Sequence, residues 1–170
     1  EEMPSKLHER VVAWLIITLG QWAIPRGAAV YGSEHKLGVA PRRGRKPDVT
    51  VWIANEPYDP DAVMDTTPPD VVVEVVTPTP RDAKRDRIEK PVEYARFGVR
   101  WYWIVDPSLH TLEVFELRDG TYVRARGASD GLLRPPGFRG LVLDLDALWK
   151  YGDRAAPTSR KKAATRARKR

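Results

Sequence analysis

Among the 170 residues of the chain, Glu74 fits its surroundings least well, which makes it the leading candidate for a chemical role. It interrupts an otherwise apolar segment, Val71 to Val76, which is typical of a strand buried on both faces. An unpaired buried carboxylate costs roughly several kcal/mol, so a metal ion, an arginine or protonation would have to compensate it. Taken alone, Glu74 is better explained as a charge that protects an exposed strand edge from aggregation.

Asp48 changes that balance, because it begins another predicted strand, Val49 to Ile53. An aspartate after proline is also common in turns. Two acids on adjacent strands can bind one hard cation, and magnesium favours one or two carboxylates with water and substrate phosphate. Such an ion polarises a phosphoryl oxygen and activates water, so the pair indicates metal-assisted phosphodiester hydrolysis.

Lys90 is the third candidate. A lysine beside the ion can offset developing charge and orient the attacking water, although most lysines cover a solvated surface. Asp82, Asp86 and Lys90 are four residues apart, so they share one face of a continuous helix. That face fits either a salt-bridged surface or the wall of a site.

Hydrophobic periodicity and turn signals predict the elements that position these residues. One helix is predicted over residues 7–22 and a second over 82–97, kinked or restarted at Pro91 and ended by Gly98. Strand and hairpin segments are predicted within 27–53 and at 71–76, 101–105, 112–117, 122–126 and 141–143, with a short helix or turn over 146–149. The pattern predicts an α/β or α+β sheet with helices packed against it.

The net charge of +6 belongs to the C-terminus, because 22 basic and 23 acidic residues remain when its seven basic residues are removed. Clustered lysine and arginine release counterions from nucleic acid, so the segment could bind phosphates. A disordered, solubilising terminus is about as well supported. We divide the chain into one domain over 1–152 and a basic, flexible tail over 153–170. The candidate nucleic-acid-binding residues of the tail are Arg160, Lys161, Lys162, Arg166, Arg168, Lys169 and Arg170.

Composition argues against several other classes. The chain has no cysteine, which excludes disulfides and thiolate zinc sites and favours the cytoplasm. Its longest apolar run, Val11 to Leu19, is too short to span a membrane. His8, His35 and His110 lack metal-ligand spacing, and neither a glycine-rich phosphate loop nor a nucleophile elbow is present.

The order and spacing of the motifs resemble the Uma-two family of restriction endonucleases, within the PD-(D/E)xK nuclease superfamily. The resemblance covers roughly residues 8–145. It implies a restriction-endonuclease-like core in which helices flank a central mixed sheet. The motifs that carry it are Pro47-Asp48-Val49, Pro69 to Pro78, Lys90-Pro91, Tyr94-Ala95, Gly98-Val99 and Tyr102 to Pro107.

The resemblance also implies roles for individual residues. Asp48 and Glu74 match the two acids, and the backbone carbonyl of Val75 would be a further ligand of Mg²⁺ or Mn²⁺. The superfamily pattern places a lysine where this chain has Val76, and the family instead takes it from the following helix, where Lys90 is the match.

Four further positions also match the family. Glu9 weakly resembles an auxiliary acid on the first helix. Tyr94 and Trp103 are interpreted as core residues, and Asp106 as a turn residue.

The sequence thus predicts a metal-dependent endonuclease that hydrolyses phosphodiester bonds of nucleic acid, with DNA favoured and a homodimer compatible. The alternative is a module on a nuclease fold that binds nucleic acid or protein without cleaving. The presence of Asp48, Glu74 and Lys90 together favours the enzyme.

Overall fold

A six-stranded mixed sheet forms the centre of the protein, with strand order β1-β4-β5-β6-β7-β8. The structure is a computed structural model that describes residues 5–54, 56–79, 81 and 84–153. The six strands are β1 (Ala29–Gly32), β4 (Val49–Trp52), β5 (Val71–Val75), β6 (Trp101–Asp106), β7 (Thr111–Arg118) and β8 (Thr121–Ala128). A separate hairpin is formed by β2 (Leu37–Ala40) and β3 (Arg43–Arg45), and a short pair by β9 (Leu132–Leu133) and β10 (Leu143–Asp144).

Three α-helices accompany the sheet in the described part of the chain, which confirms the predicted α+β class. They are α1 (Lys6–Ala23), α2 (Lys90–Phe97) and α3 (Leu145–Asp153), and a π-helical turn over Arg85–Glu89 leads directly into α2. Strands β5 and β6 are parallel, while the other neighbours in the sheet are antiparallel. A parallel pair of strands needs a crossover connection, and α2 forms part of the crossover from β5 to β6.

The two faces of the sheet bury separate cores. Val71, Val73 and Val75 face the larger core, to which α1 and α3 contribute. Val72 and Val76 face a smaller core that includes Tyr94 of α2. Side chains alternate along a strand, so residue 74 belongs to the face that α2 covers.

The helices follow the predicted pattern closely. Helix α1 begins after Ser5, whose Oγ accepts a hydrogen bond of 3.1 Å from the His8 N–H, a standard N-cap. The predicted break at Pro91 coincides with the change from the π-helical turn to α2, which begins at Lys90 with the proline in its first turn. Gly98 ends α2 in the left-handed conformation, with φ of 97°.

The predicted last strand, residues 141–143, is placed too early. The Leu141 N–H donates to Phe138 O within a turn, and pairing begins only at Leu143, opposite Leu133. The helix predicted over 146–149 is longer, extending from Leu145 to Asp153. None of the helices in the described part of the chain is long and apolar enough to cross a membrane.

Candidate active site

Glu74 lies in the middle of the sheet and is almost fully buried, with a relative exposure of 2%. Both of its carboxylate oxygens have a partner on α2. Lys90 Nζ lies 2.7 Å from Oε2, and the Tyr94 hydroxyl donates a hydrogen bond of 2.7 Å to Oε1. The compensation that a buried acid requires is therefore provided by a lysine and a tyrosine of the same helix.

Lys90 is itself held between two acids. Its Nζ atom also lies 2.7 Å from Asp86 Oδ1, one turn earlier in the chain. Asp86 lies within the π-helical turn, whose wider hydrogen bond runs from the Lys90 N–H to Arg85 O. The backbone carbonyl of Asp86 in turn accepts a hydrogen bond of 2.7 Å from the buried Tyr102 hydroxyl. The predicted shared face of Asp86 and Lys90 is thus confirmed, while Asp82 lies outside the described residues.

Asp48 lies beside Glu74, directly before the first residue of β4. The antiparallel register pairs Val49 with Val73, so the next residues in each direction are Asp48 and Glu74. Asp48 Oδ2 accepts a hydrogen bond of 2.7 Å from the Val75 N–H, which fixes the carboxylate against β5. The structure therefore brings Asp48, Glu74 and Lys90 to one place between the sheet and α2.

The electrostatics of this site favour a cation. Burial raises the pKa of Glu74 to about 7; Lys90 acts against this shift, whereas the charges of Asp48 and Asp86 add to it. Burial lowers the pKa of Lys90, but the negative charges of Glu74 and Asp86 outweigh it and raise that pKa overall. Lys90 thus stays protonated, while burial disfavours the charged form of Glu74, a penalty that a bound cation would offset.

His8 joins the site from α1, which sequence reasoning missed. Its Nε2 atom lies 3.2 Å from Asp48 Oδ1, and its Nδ1 atom lies 3.4 Å from Glu9 Oε1. Burial lowers the pKa of His8, but hydrogen bonds and charges from Asp48 and Glu9 raise it above 6.5 overall. The sequence signal was its position on the buried face of α1, which a search for spacing between histidines could not detect. Among the described residues, Glu9 is linked to Asp48 through His8.

The remaining sequence interpretations are also located. Tyr94 and Trp103 are fully buried, as predicted, although the Tyr94 hydroxyl additionally binds Glu74. Asp106 Oδ1 accepts hydrogen bonds from the Ser108 and Leu109 N–H groups, as a turn residue does, and its Oδ2 lies 3.0 Å from Arg87 Nη2. The candidate tail residues, 160–170, lie outside the described residues.

The donor set fits a small divalent cation. Two carboxylates and a backbone carbonyl at the end of β5 are hard oxygen ligands of the kind magnesium takes, with water completing its shell. No group of three or more histidine, cysteine, aspartate or glutamate side chains that could hold a metal occurs among the described residues. A cation would therefore share the oxygens of Asp48 and Glu74 with their present hydrogen-bond partners and depend on water for other ligands.

Comparison with known proteins defines the class. The fold of the chain is similar to that of a crystal structure from Anabaena variabilis ATCC 29413, described as a putative nuclease belonging to DUF820. That similarity has a TM-score of 0.69 at 18% sequence identity and covers 89% of this chain and 85% of that one, so it shows a shared fold.

The chain belongs to the Uma2 family, described as putative restriction endonucleases, whose model matches residues 1–146. The predicted family is thereby confirmed, and the protein is a nuclease at the level of its family. No match was found among curated proteins.

Proposed function

We propose that the protein is a metal-dependent endonuclease that hydrolyses phosphodiester bonds in DNA. One observation carries the proposal: Asp48 and Glu74 lie next to each other in register on adjacent strands, with the Lys90 ammonium 2.7 Å from Glu74. Membership of a family of putative restriction endonucleases supports it. The proposed location is the cytoplasm, and assembly as a homodimer stays a prediction.

Asp48, Glu74 and the backbone carbonyl of Val75 would hold Mg²⁺ or Mn²⁺. When bound, the ion supplies Lewis-acid polarisation of the phosphoryl oxygen and a lowered pKa of water. The Val75 N–H and His8 hold the Asp48 carboxylate in place, so that its orientation does not depend on the ion alone.

Lys90 would stabilise the negative charge that develops on the phosphoryl group. Its ammonium remains protonated because two carboxylates lie within 2.7 Å of it. A fixed charge in a site from which water is excluded stabilises a transition state better than the same charge in water. Tyr94 orients the Glu74 carboxylate by its hydrogen bond to the other oxygen.

The rival function is binding of nucleic acid or protein without cleavage. It is favoured by the internal partners of Glu74, since Lys90 and Tyr94 already satisfy both oxygens of the carboxylate. A closed ion cluster of this kind would also serve as a purely structural element. The two functions differ in one respect, which is whether Asp48 and Glu74 are needed for phosphodiester cleavage.

The test is cleavage of supercoiled plasmid DNA by the full chain with Mg²⁺ or Mn²⁺, using Asp48→Asn and Glu74→Gln. We expect each variant to lose at least about 100-fold in rate, because both remove a charged metal ligand. Glu89→Gln is the matched control, since Glu89 lies at the end of the π-helical turn with a half-exposed side chain. Equal cleavage by the wild type and Glu74→Gln would overturn the proposal, and circular dichroism verifies that each variant is folded.

A further inference from the structure

The hairpin formed by β2 and β3 is strongly basic. Residues 36–47 contain no acid and carry five cations, whereas only two acids from elsewhere in the described chain pair with them. The five cations are Lys36, Arg42, Arg43, Arg45 and Lys46. The hairpin therefore presents an excess of positive charge that the near-neutral composition outside the tail does not suggest.

The five cations fall into two groups: those with an acidic partner in the described part of the chain and those without one there. Arg45 donates to Glu93 from Nε (2.6 Å) and Nη2 (2.9 Å), and Arg43 forms an ion pair with the same carboxylate. Lys46 pairs with the exposed Glu34 at 2.7 Å. Lys36 and Arg42 are exposed and have no ion-pair partner among the described residues.

The hairpin is anchored beside the candidate site at both ends. At its beginning, His35 Nδ1 lies 3.1 Å from the Thr50 hydroxyl, two residues after Asp48 on β4. At its end, Arg45 binds Glu93 on α2, the helix that carries Lys90. Arg45 precedes Asp48 by three residues, so their Cα atoms are at most about 11 Å apart.

The exposed cations have defined positions. Arg42 occupies the turn between the strands with a φ of 59°. The aliphatic stem of Lys36 crosses Gly44 on the opposite strand, where a Cβ would collide with it. Apolar Leu37 and Val39 face the smaller core, which keeps the basic side of the hairpin toward solvent.

We propose that the β2–β3 hairpin binds the phosphate backbone of nucleic acid and delivers it to the site at Asp48, with Lys36 and Arg42 as the contacting cations. The choice of nucleic acid as the ligand rests on the proposed function, because a nuclease site at Asp48 and Glu74 would act on a phosphodiester backbone. A four-residue strand is about 13 Å long, and each DNA strand carries one charge per about 3.4 Å of helix axis. The hairpin can therefore face roughly four phosphates of one strand.

The experiment measures binding of the full chain to a fluorescein-labelled 20-base-pair duplex in EDTA, so that cleavage cannot interfere. The Kd is determined from 50 to 300 mM salt for the wild type and for the double variant Lys36→Gln/Arg42→Gln. We expect the slope of log K against log salt to become less negative by about 1.8, since each phosphate contact contributes about 0.9. The affinity at 0.1 M salt should fall about tenfold or more.

The matched control is Arg134→Gln/Lys150→Gln, which removes the same charge from two exposed residues outside the hairpin. Its slope should equal that of the wild type. An unchanged slope in the hairpin variant, an equal loss in the control, or no duplex binding by the wild type would each overturn the proposal. Failure of the proposed function gives a different result. The salt slope of the hairpin variant would still become less negative, which supports the hairpin proposal, but the wild type would cleave no plasmid.

Discussion

Lys90 Nζ lies 2.7 Å from Glu74 Oε2 although 16 residues separate them in the chain. The contact joins a parallel strand to the crossover helix that follows it, so it fixes α2 over the sheet as well as neutralising the acid. Removing one partner of a buried ion pair is strongly destabilising, by about 3–5 kcal/mol. Loss of Lys90 therefore has a structural effect that must be separated from any effect on catalysis.

We predict that Lys90→Ala strongly lowers the rate of cleavage while metal binding remains, because the ammonium stabilises charge and is not itself a ligand. The expected loss is about 10²–10³-fold in rate, measured with plasmid DNA at a temperature where circular dichroism shows a folded protein. Isothermal titration with Mn²⁺ reports the metal site independently. Lys84→Ala is the control, since Lys84 is exposed and lies 3.9 Å from Glu89. Full activity in Lys90→Ala would contradict the role given to Lys90.

The second prediction is that Val76→Lys partly restores cleavage to Lys90→Ala. Val76 lies two residues beyond Glu74, is almost fully buried and faces the same core as Tyr94. A lysine at residue 76 returns the ammonium to the region by another route, at a cost in packing that limits the rescue. Val72→Lys in the same background is the matched control, because Val72 lies on the same face at the other side of Glu74. If neither Val76→Lys nor Val72→Lys restores cleavage, or if both restore it equally, position 76 has no special relation to the site.

The hydroxyl of Tyr94 gives a third prediction. Tyr94→Phe removes the donor to Glu74 Oε1 and should lower the free energy of unfolding by about 1.5–3 kcal/mol, the range for hydrogen bonds to charged groups. Tyr122→Phe removes a hydroxyl that donates to the neutral Val99 carbonyl at 2.6 Å and should cost only about 1 kcal/mol. Urea denaturation at pH 8 measures both. A smaller effect at Tyr94 than at Tyr122 would mean that Glu74 is not ionised there.

Local sequence patterns predicted the helices, the succession of strands along the chain and the fold class. They did so because α1 has helical periodicity, β5 is a buried valine run, and Pro91 fits a kink or the first turn of a helix. The register that places Asp48 beside Glu74 could be expected only from the family resemblance, since pairing depends on contacts between distant segments. The strand predicted at 141–143 was displaced because its pairing partner, β9, gives no signal in sequence.

The group that compensates Glu74 was also outside the reach of local reasoning. A metal, an arginine or protonation was expected, whereas the partners are Lys90 and Tyr94. The spacing of Asp86 and Lys90 predicted their pairing, but nothing in the local sequence indicated that the turn before α2 is π-helical. His8 is a similar case, because nothing in α1 alone indicates that its ring faces Asp48.

The fourth prediction concerns the basic tail. Deleting residues 160–170 should weaken nucleic-acid binding for all sequences and make the salt slope less negative, since each phosphate contact contributes about 0.9 to it. Cleavage at saturating substrate should be unchanged, because the proposed catalytic residues lie elsewhere. A tail of the same length with its seven basic residues changed to glutamine separates charge from length. An unchanged salt slope in both variants would show that the tail only improves solubility.

The last prediction follows from the raised pKa of Glu74. Burial raises it from 4.5 to about 7 in the folded, metal-free protein, and the charges of Asp48 and Asp86 add to the shift while Lys90 opposes it. Between these two values the folded state binds the proton and the unfolded state has released it. Stability therefore falls as pH rises through this window, because the slope follows the difference in bound protons.

Comparison with Glu74→Gln isolates this effect, since His8 and the other titrating groups are common to both proteins. At pH 4.5 residue 74 is neutral in both folded proteins. By pH 8 we expect the wild type to have lost about 3 kcal/mol of unfolding free energy relative to Glu74→Gln, from a shift of about 2.5 units at 1.36 kcal/mol each. Urea unfolding in EDTA from pH 4.5 to 8 measures the difference. A difference that stays constant with pH would show that Glu74 is ionised throughout, and addition of Mn²⁺ should reverse the trend, since a cation favours the charged carboxylate.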